Sequence, residues 1–195
     1  MKLLYFLLLI GSALALAKRH KPTVYFIRHG EKPEDRDDPT LSPRGAQRAQ
    51  CIRKVFDSSS EYNIGHIMAE TPKSNGRRQR PYMTVAPLAR DLGLEVDISC
   101  GKKDIDCVRD VIENYEGDGN ILICWEHKRI KKIAKALGAR YVDKYPKRVF
   151  DQIWVDPYPY DEIADIQSEH CPGLDDRDDY DYFSRRSAKF AQGIL

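Results

Sequence analysis

Val24-Tyr25-Phe26-Ile27-Arg28-His29-Gly30-Glu31 is an apolar run that stops at a cation, an imidazole and a glycine. Four consecutive β-branched or aromatic residues bounded by polar ones read as a strand buried on both faces, the kind found in parallel sheets. Arg28 and His29 then sit at its carboxyl end. In open α/β sheets the ligand crevice lies outside the carboxyl ends of the strands, so a histidine there faces the crevice rather than the core. Gly30 allows a sharp turn and a close approach of backbone to ligand.

The same pattern returns a hundred residues on. Gly119-Asn120 forms a turn, Ile121-Leu122-Ile123-Cys124 is a second apolar strand, and Trp125-Glu126-His127 follows at its carboxyl end. Two buried strands, each followed by a histidine, place His29 and His127 on one edge of one sheet. Arg28, and Arg80 from the basic segment Arg77-Arg78-Gln79-Arg80, can converge there. Guanidinium forks donate paired hydrogen bonds to phosphate oxygens, so two arginines and two imidazoles suit a tetrahedral oxyanion. Arg77 and Arg78 either add substrate contacts or are exposed loop charges.

Helices alternate with these strands. Ser42 as N-cap and Pro43 in the first turn announce the first, whose apolar face is Ala46, Ala49, Ile52, Val55 and Phe56. Ile64 to Ala69 reads as a strand interrupted by Gly65 and His66. Thr71 to Leu94 reads as a loop leading into two short helical pieces, with Pro81 and Pro87 each in a first turn. Gly93 caps the second piece before a short strand around Glu95 to Ile98. Ile105, Val108, Val111, Ile112 and Tyr115 mark a third amphipathic helix, and Ile130, Ile133, Ala134 and Leu137 a fourth with a solvated basic face. Val149 to Val155 reads as the last strand. Asp175 to Asp181 reads as an exposed acidic tail, and no internal repeat is present.

The 195 residues suit one domain, with 42% hydrophobic and 32% charged content and a formal charge of +2. That balance excludes disorder and a membrane bundle, and gives no bulk attraction to nucleic acid. Residues 1–17 read as a cleaved signal peptide: Lys2, then an apolar core from Leu3, then Ala15-Leu16-Ala17. The apolar stretch is shorter than the roughly 20 residues a spanning helix requires, so no membrane association is expected after cleavage. Lys18-Arg19 is a potential dibasic processing site or simply a basic start, which leaves residues 20–195 as a single secreted domain. Among five cysteines, Cys100 and Cys107 are the expected local disulfide and Cys124 a buried thiol; Cys51 and Cys171 are left open.

Phe26-Ile27-Arg28-His29-Gly30-Glu31, Leu41-Ser42-Pro43-Arg44-Gly45, Arg80-Pro81-Tyr82-Met83-Thr84 running to Ala86-Pro87-Leu88-Ala89, and the strand before His127 occur in an order that resembles the histidine phosphatase superfamily. The resemblance covers about residues 23 to 155. It implies the phosphoglycerate mutase-like fold, a three-layer α/β/α sandwich with a mostly parallel central sheet. It also implies phosphatase chemistry on a small phosphorylated substrate with no metal or other cofactor. His29 would be the nucleophile, forming a phosphohistidine; Arg28 and Arg80 would clamp phosphate; His127 would stabilise the transferred group. The acidic branch of the superfamily follows its second histidine with aspartate, whereas Lys128 follows here and Glu126 precedes. The mutase-like branch carries a glutamate in the region where Asp104 falls. Glu126, Asp104 and Glu31 are therefore the candidate proton donors. The alternative expectation is a secreted binding protein that keeps the phosphate pocket with little or no turnover.

Overall fold

The computed structural model describes residues 21–35 and 37–175. The expected signal peptide, the Lys18-Arg19 pair and the acidic stretch beyond Asp175 lie outside them. Ten elements follow in order: β1 (Val24–Arg28), α1 (Pro43–Val55), β2 (Ile64–Ala69), α2 (Arg80–Leu92), β3 (Val96–Asp97), α3 (Ile105–Glu113), β4 (Asn120–Trp125), α4 (His127–Leu137), β5 (Gln152–Asp156) and β6 (Asp165–Ser168). They build one sheet in the order β3-β2-β4-β1-β5-β6. The β3-β2-β4-β1 portion is parallel, while β5 pairs antiparallel with β1 and β6 antiparallel with β5.

Alternation along the central strands separates two cores. Ile121, Ile123 and Trp125 of β4, with Val24 and Phe26 of β1, pack with Val108 and Ile112 of α3 and Ile130 and Ile133 of α4. Leu122 and Cys124 point the other way, with Ile27, onto Ile52 of α1 and Val85 and Leu88 of α2. Both faces of the sheet are covered by helices, which explains the unbroken apolar runs of β1 and β4. The result is the three-layer α/β/α sandwich with a mixed, mainly parallel sheet.

Local signals account for most boundaries. Ser42 accepts from the Gly45 amide and Pro43 opens α1, while Gly93 closes α2 in the left-handed conformation, φ +67°. Two expected elements are corrected. The segment after the basic loop is one helix rather than two pieces, with Pro87 inside α2. The proline removes one helical hydrogen bond, but Val85, Leu88 and Ala89 are buried on both sides of it and hold the helix together. The last expected strand starts at Gln152 instead of Val149, because the Val149 carbonyl accepts from Arg28. β6, Asp-Ile-Gln-Ser, was not anticipated; it pairs along the open edge of β5.

Cys100–Cys107 is a disulfide, Cys51–Cys171 is a second, and Cys124 is free and buried. Among the described residues no helix is long and apolar enough to cross a membrane. Asp175, expected in an exposed tail, instead places its carboxylate on Arg48 at 2.7 Å.

At the end of the sheet opposite the two histidines, Asp156 is fully buried with neither carboxylate oxygen bonded to protein. Burial, helped by Asp161, pushes its carboxyl from 3.8 up to about 7. The folded state therefore holds this proton more tightly than the unfolded one. The stability it contributes is complete below about pH 3.8 and is lost as pH rises to about 7, by about 1.4 kcal/mol per pH unit in that window. Asp156→Asn is expected to gain on the wild type from pH 4 to 7 and to hold that gain above. Urea midpoints of the two proteins that shift in parallel over this range would contradict the assignment.

Candidate active site

The site begins where β1 and β4 end. Arg28 is level with Trp125 in the parallel pair, and the His29 amide donates to the Trp125 carbonyl at 3.3 Å. His29 is 4% exposed. Its Nδ1 lies 2.8 Å from the Gly30 carbonyl, which can only accept, so Nδ1 carries the proton and Nε2 the free electron pair. Burial first, and the charges of Arg28, Lys32 and Arg80 after it, hold the imidazole at about 3 against the hydrogen bond that it donates to the Gly30 carbonyl. It is neutral at every ordinary pH.

The turn after His29 is clamped between two helices. The Gly30 amide donates to Thr84 Oγ of α2 at 2.9 Å. A Cβ on Gly30 would lie 2.9 Å from the Gly45 carbonyl oxygen, and one on Gly45 would lie 2.5 Å from the Glu31 carbonyl oxygen. The Ser42-Pro43-Arg44-Gly45 sequence thus caps α1 and lets its first turn press against the histidine loop.

Arg28 is 3% exposed. One Nη donates to the carbonyls of Lys147 and Val149, both at 2.8 Å, and the guanidinium lies 3.7 Å over the Phe150 ring. Its Nε is buried without a protein partner. Burial lowers it to about 10, leaving it cationic at neutral pH. His127 is the first residue of α4 and is buried. Burial, then the Arg28 charge, lowers it to about 4, so the second imidazole is also neutral. Arg80, the first residue of α2, donates through Nε to the Thr40 carbonyl at 2.8 Å and through Nη2 to the Asp38 carbonyl. These bonds tie the loop after His29 to α2. Arg80 also lines a cavity of about 310 Å³ with Asp37, Pro39, Arg77 and Arg78.

The three expected proton donors are all engaged. Both Glu31 oxygens accept from Arg48, which is 1% exposed and also meets Glu169 at 2.6 Å and Asp175 at 2.7 Å. Asp104 is an exposed N-cap whose carboxylate accepts from the Cys107 amide. Glu126 faces the Lys102 ammonium at 3.6 Å, and its other oxygen is 3.7 Å from His127 Nδ1, too far for a hydrogen bond. Sequence reasoning missed Glu70. It follows β2 directly, and Ala69 is level with Cys124, so Glu70 comes level with Trp125 on the same sheet edge. Its signal was the pattern that revealed the histidines, an apolar run, Ile67-Met68-Ala69, ending in an ionisable group.

Glu169, Cys171 and Asp175 lie at metal-ligand spacing. Cys171 is consumed by its disulfide, and Arg48 pairs with Asp175 and with one oxygen of Glu169, so a cation already balances this group and only Glu169 Oε1 is left without a protein partner. A larger cavity of about 910 Å³, lined by Thr23, Asn63, Glu113 and Asn120, lies at the opposite end of the strands and contains none of the residues above.

Neither a protein-family model nor a curated protein sequence matches the chain. Among solved structures it is similar to the protein histidine phosphatase SixA complexed with tungstate, with a TM-score of 0.54 at 14% identity over 75% of this chain and 97% of that one. A mycobacterial glucosyl-3-phosphoglycerate phosphatase aligns over 75% of this chain and 96% of its own, at a TM-score of 0.49 and 12% identity. The chain has the fold of the histidine phosphatase superfamily. That fold is the phosphoglycerate mutase-like one, and among the described residues it consists of a mixed six-stranded sheet and four helices.

Proposed function

We propose that this protein is a secreted phosphatase that hydrolyses small phosphomonoesters through a phosphohistidine on His29. The observation that carries the reading is the fixed tautomer of that buried, neutral imidazole, whose Nε2 keeps a free electron pair while the Arg28 charge acts on both His29 and His127. A neutral imidazole needs no separate base to attack phosphorus. In the first half-reaction the Nε2–P bond forms and the bond from phosphorus to the ester oxygen breaks, its electron pair leaving with that oxygen. In the second, water attacks phosphorus, the N–P bond breaks and phosphate departs. Arg28, Arg80 and His127 hold and balance the charge on the phosphoryl oxygens through both steps.

Two disulfides fit an extracellular protein, and with the sequence of residues 1–17 they support secretion of a chain starting at Lys18 or His20. The purified mature chain is expected to hydrolyse 4-nitrophenyl phosphate. This ester has a good leaving group and turns over even where protonation is poor. Complete inactivity on it would favour a phosphate-binding protein of the same fold.

A further inference from the structure

We propose that Glu70 is the general acid of this site: it protonates the leaving oxygen as His29 takes the phosphoryl group, and its carboxylate then accepts a proton from the attacking water. The inference rests on the phosphatase reading above. It starts from position. β2 and β1 flank β4, so Glu70 and His29 approach the crevice from opposite sides of the β4 terminus, with about 10 Å between their backbones. A phosphoryl group bound between them would have nucleophile and acid on opposite sides of phosphorus, the arrangement that in-line displacement requires.

Burial and bonding then set Glu70 apart from the other acids. It is 3% exposed, and its Oε2 is buried with no hydrogen-bond partner. A buried carboxylate oxygen without a donor is unstable as an anion but tolerable as an acid. The groups facing it come from four directions: Lys102 ahead of α3, Glu126 at the cap of α4, Arg78 in the loop before α2, and Arg129 on α4. Arg80 also feels its charge. Burial outweighs these cations, and with the repulsion of Glu126 it brings the carboxyl up to about 7, where an acid both holds and releases its proton near neutral pH. Glu31, Asp104 and Glu126 each have a partner on the carboxylate; of the four, Glu70 is the one with a buried oxygen left without a partner.

The proton balance closes. Glu70 gives its proton to the departing oxygen, yielding an alcohol and a carboxylate. That carboxylate takes a proton from water as the hydroxyl adds to phosphorus, and the acid is restored with release of phosphate.

The test compares His29 phosphorylation by 4-nitrophenyl phosphate and by phenyl phosphate in rapid-quench measurements on wild type and Glu70→Gln. The first leaving group departs as an anion, whereas the second needs a proton. The variant is expected to phosphorylate His29 about 10²- to 10⁴-fold more slowly from phenyl phosphate, and less than about tenfold more slowly from 4-nitrophenyl phosphate. An equal effect on both esters would overturn the proposal while leaving the phosphohistidine reading intact. So would a leaving-group-selective defect found in Glu126→Gln and not in Glu70→Gln. Absence of label on His29 in the wild type with either ester would overturn both readings. Wild-type enzyme supplies an independent measurement that no folding defect can obscure: kcat/KM for phenyl phosphate falls as pH rises through about 7, and that for 4-nitrophenyl phosphate does not. Superimposable alkaline limbs would also reject Glu70.

Discussion

His29→Ala is expected to lose both turnover and the acid-labile, base-stable phosphoryl group that brief acid-quenched incubation with substrate traps on the wild type. No neighbour can replace it. His127 is neutral too, but it opens α4 and lies beside Glu126, and it is assigned to stabilising the transferred group. His127→Ala should therefore slow turnover by about 10² to 10³-fold, the effect of deleting one transition-state donor, while label still forms on His29. The pH dependence should carry the same signature. His29 must be neutral to attack, and burial keeps it so down to about pH 3, with His127 neutral down to about 4. Activity should persist as pH falls from 7 to 5, where an ordinary imidazole would be protonated. Near-normal hydrolysis by His29→Ala, or label mapping to His66, His127 or His170, would refute the assignment.

Arg48→Ala is expected to destabilise the fold by about 3–5 kcal/mol, the loss typical of removing one partner from a buried charged cluster. Arg48 closes ion pairs with Glu31, Glu169 and Asp175. Burial alone would lower its affinity for a proton, but the Asp175, Glu31 and Glu169 carboxylates outweigh that and raise it further. Without the guanidinium, three carboxylates crowd a site closed to water. Urea unfolding of the oxidised protein measures the loss; a change under about 1 kcal/mol would show that the carboxylates find other partners. Activity should fall with it, since Glu31 adjoins Gly30 and the histidine loop packs on α1 through Gly45.

The strands that carry the two histidines were legible because burial on both faces leaves an uninterrupted apolar run with a polar stop. The helix signals at Ser42, Pro43 and Gly93 were legible because capping is local chemistry. What escaped depends on partners distant in sequence. Asp-Ile-Gln-Ser has little intrinsic preference for a strand and becomes β6 only because β5 offers an open edge. Pro87 reads as a break, yet buried neighbours hold α2 through it. Arg48 looks like one more cation on the polar side of α1; its three acids lie 17, 121 and 127 residues away. Glu70 escaped for the opposite reason, since a lone acid after a short apolar run is unremarkable until its burial is known.

The Cys51–Cys171 bond makes the oxidised chain a closed ring with two tails. β2 to β6 and His127 belong to the ring, but β1, with Arg28 and His29, lies on the amino-terminal tail. In the sheet β1 is not an added edge strand; it lies between β4 and β5, both held by the ring. The ring alone would carry a slot one strand wide, with two unpaired edges facing each other across it. Pairing of the tail closes that slot and sets His29 at the sheet end that carries His127, so the candidate site is complete only when the sheet is.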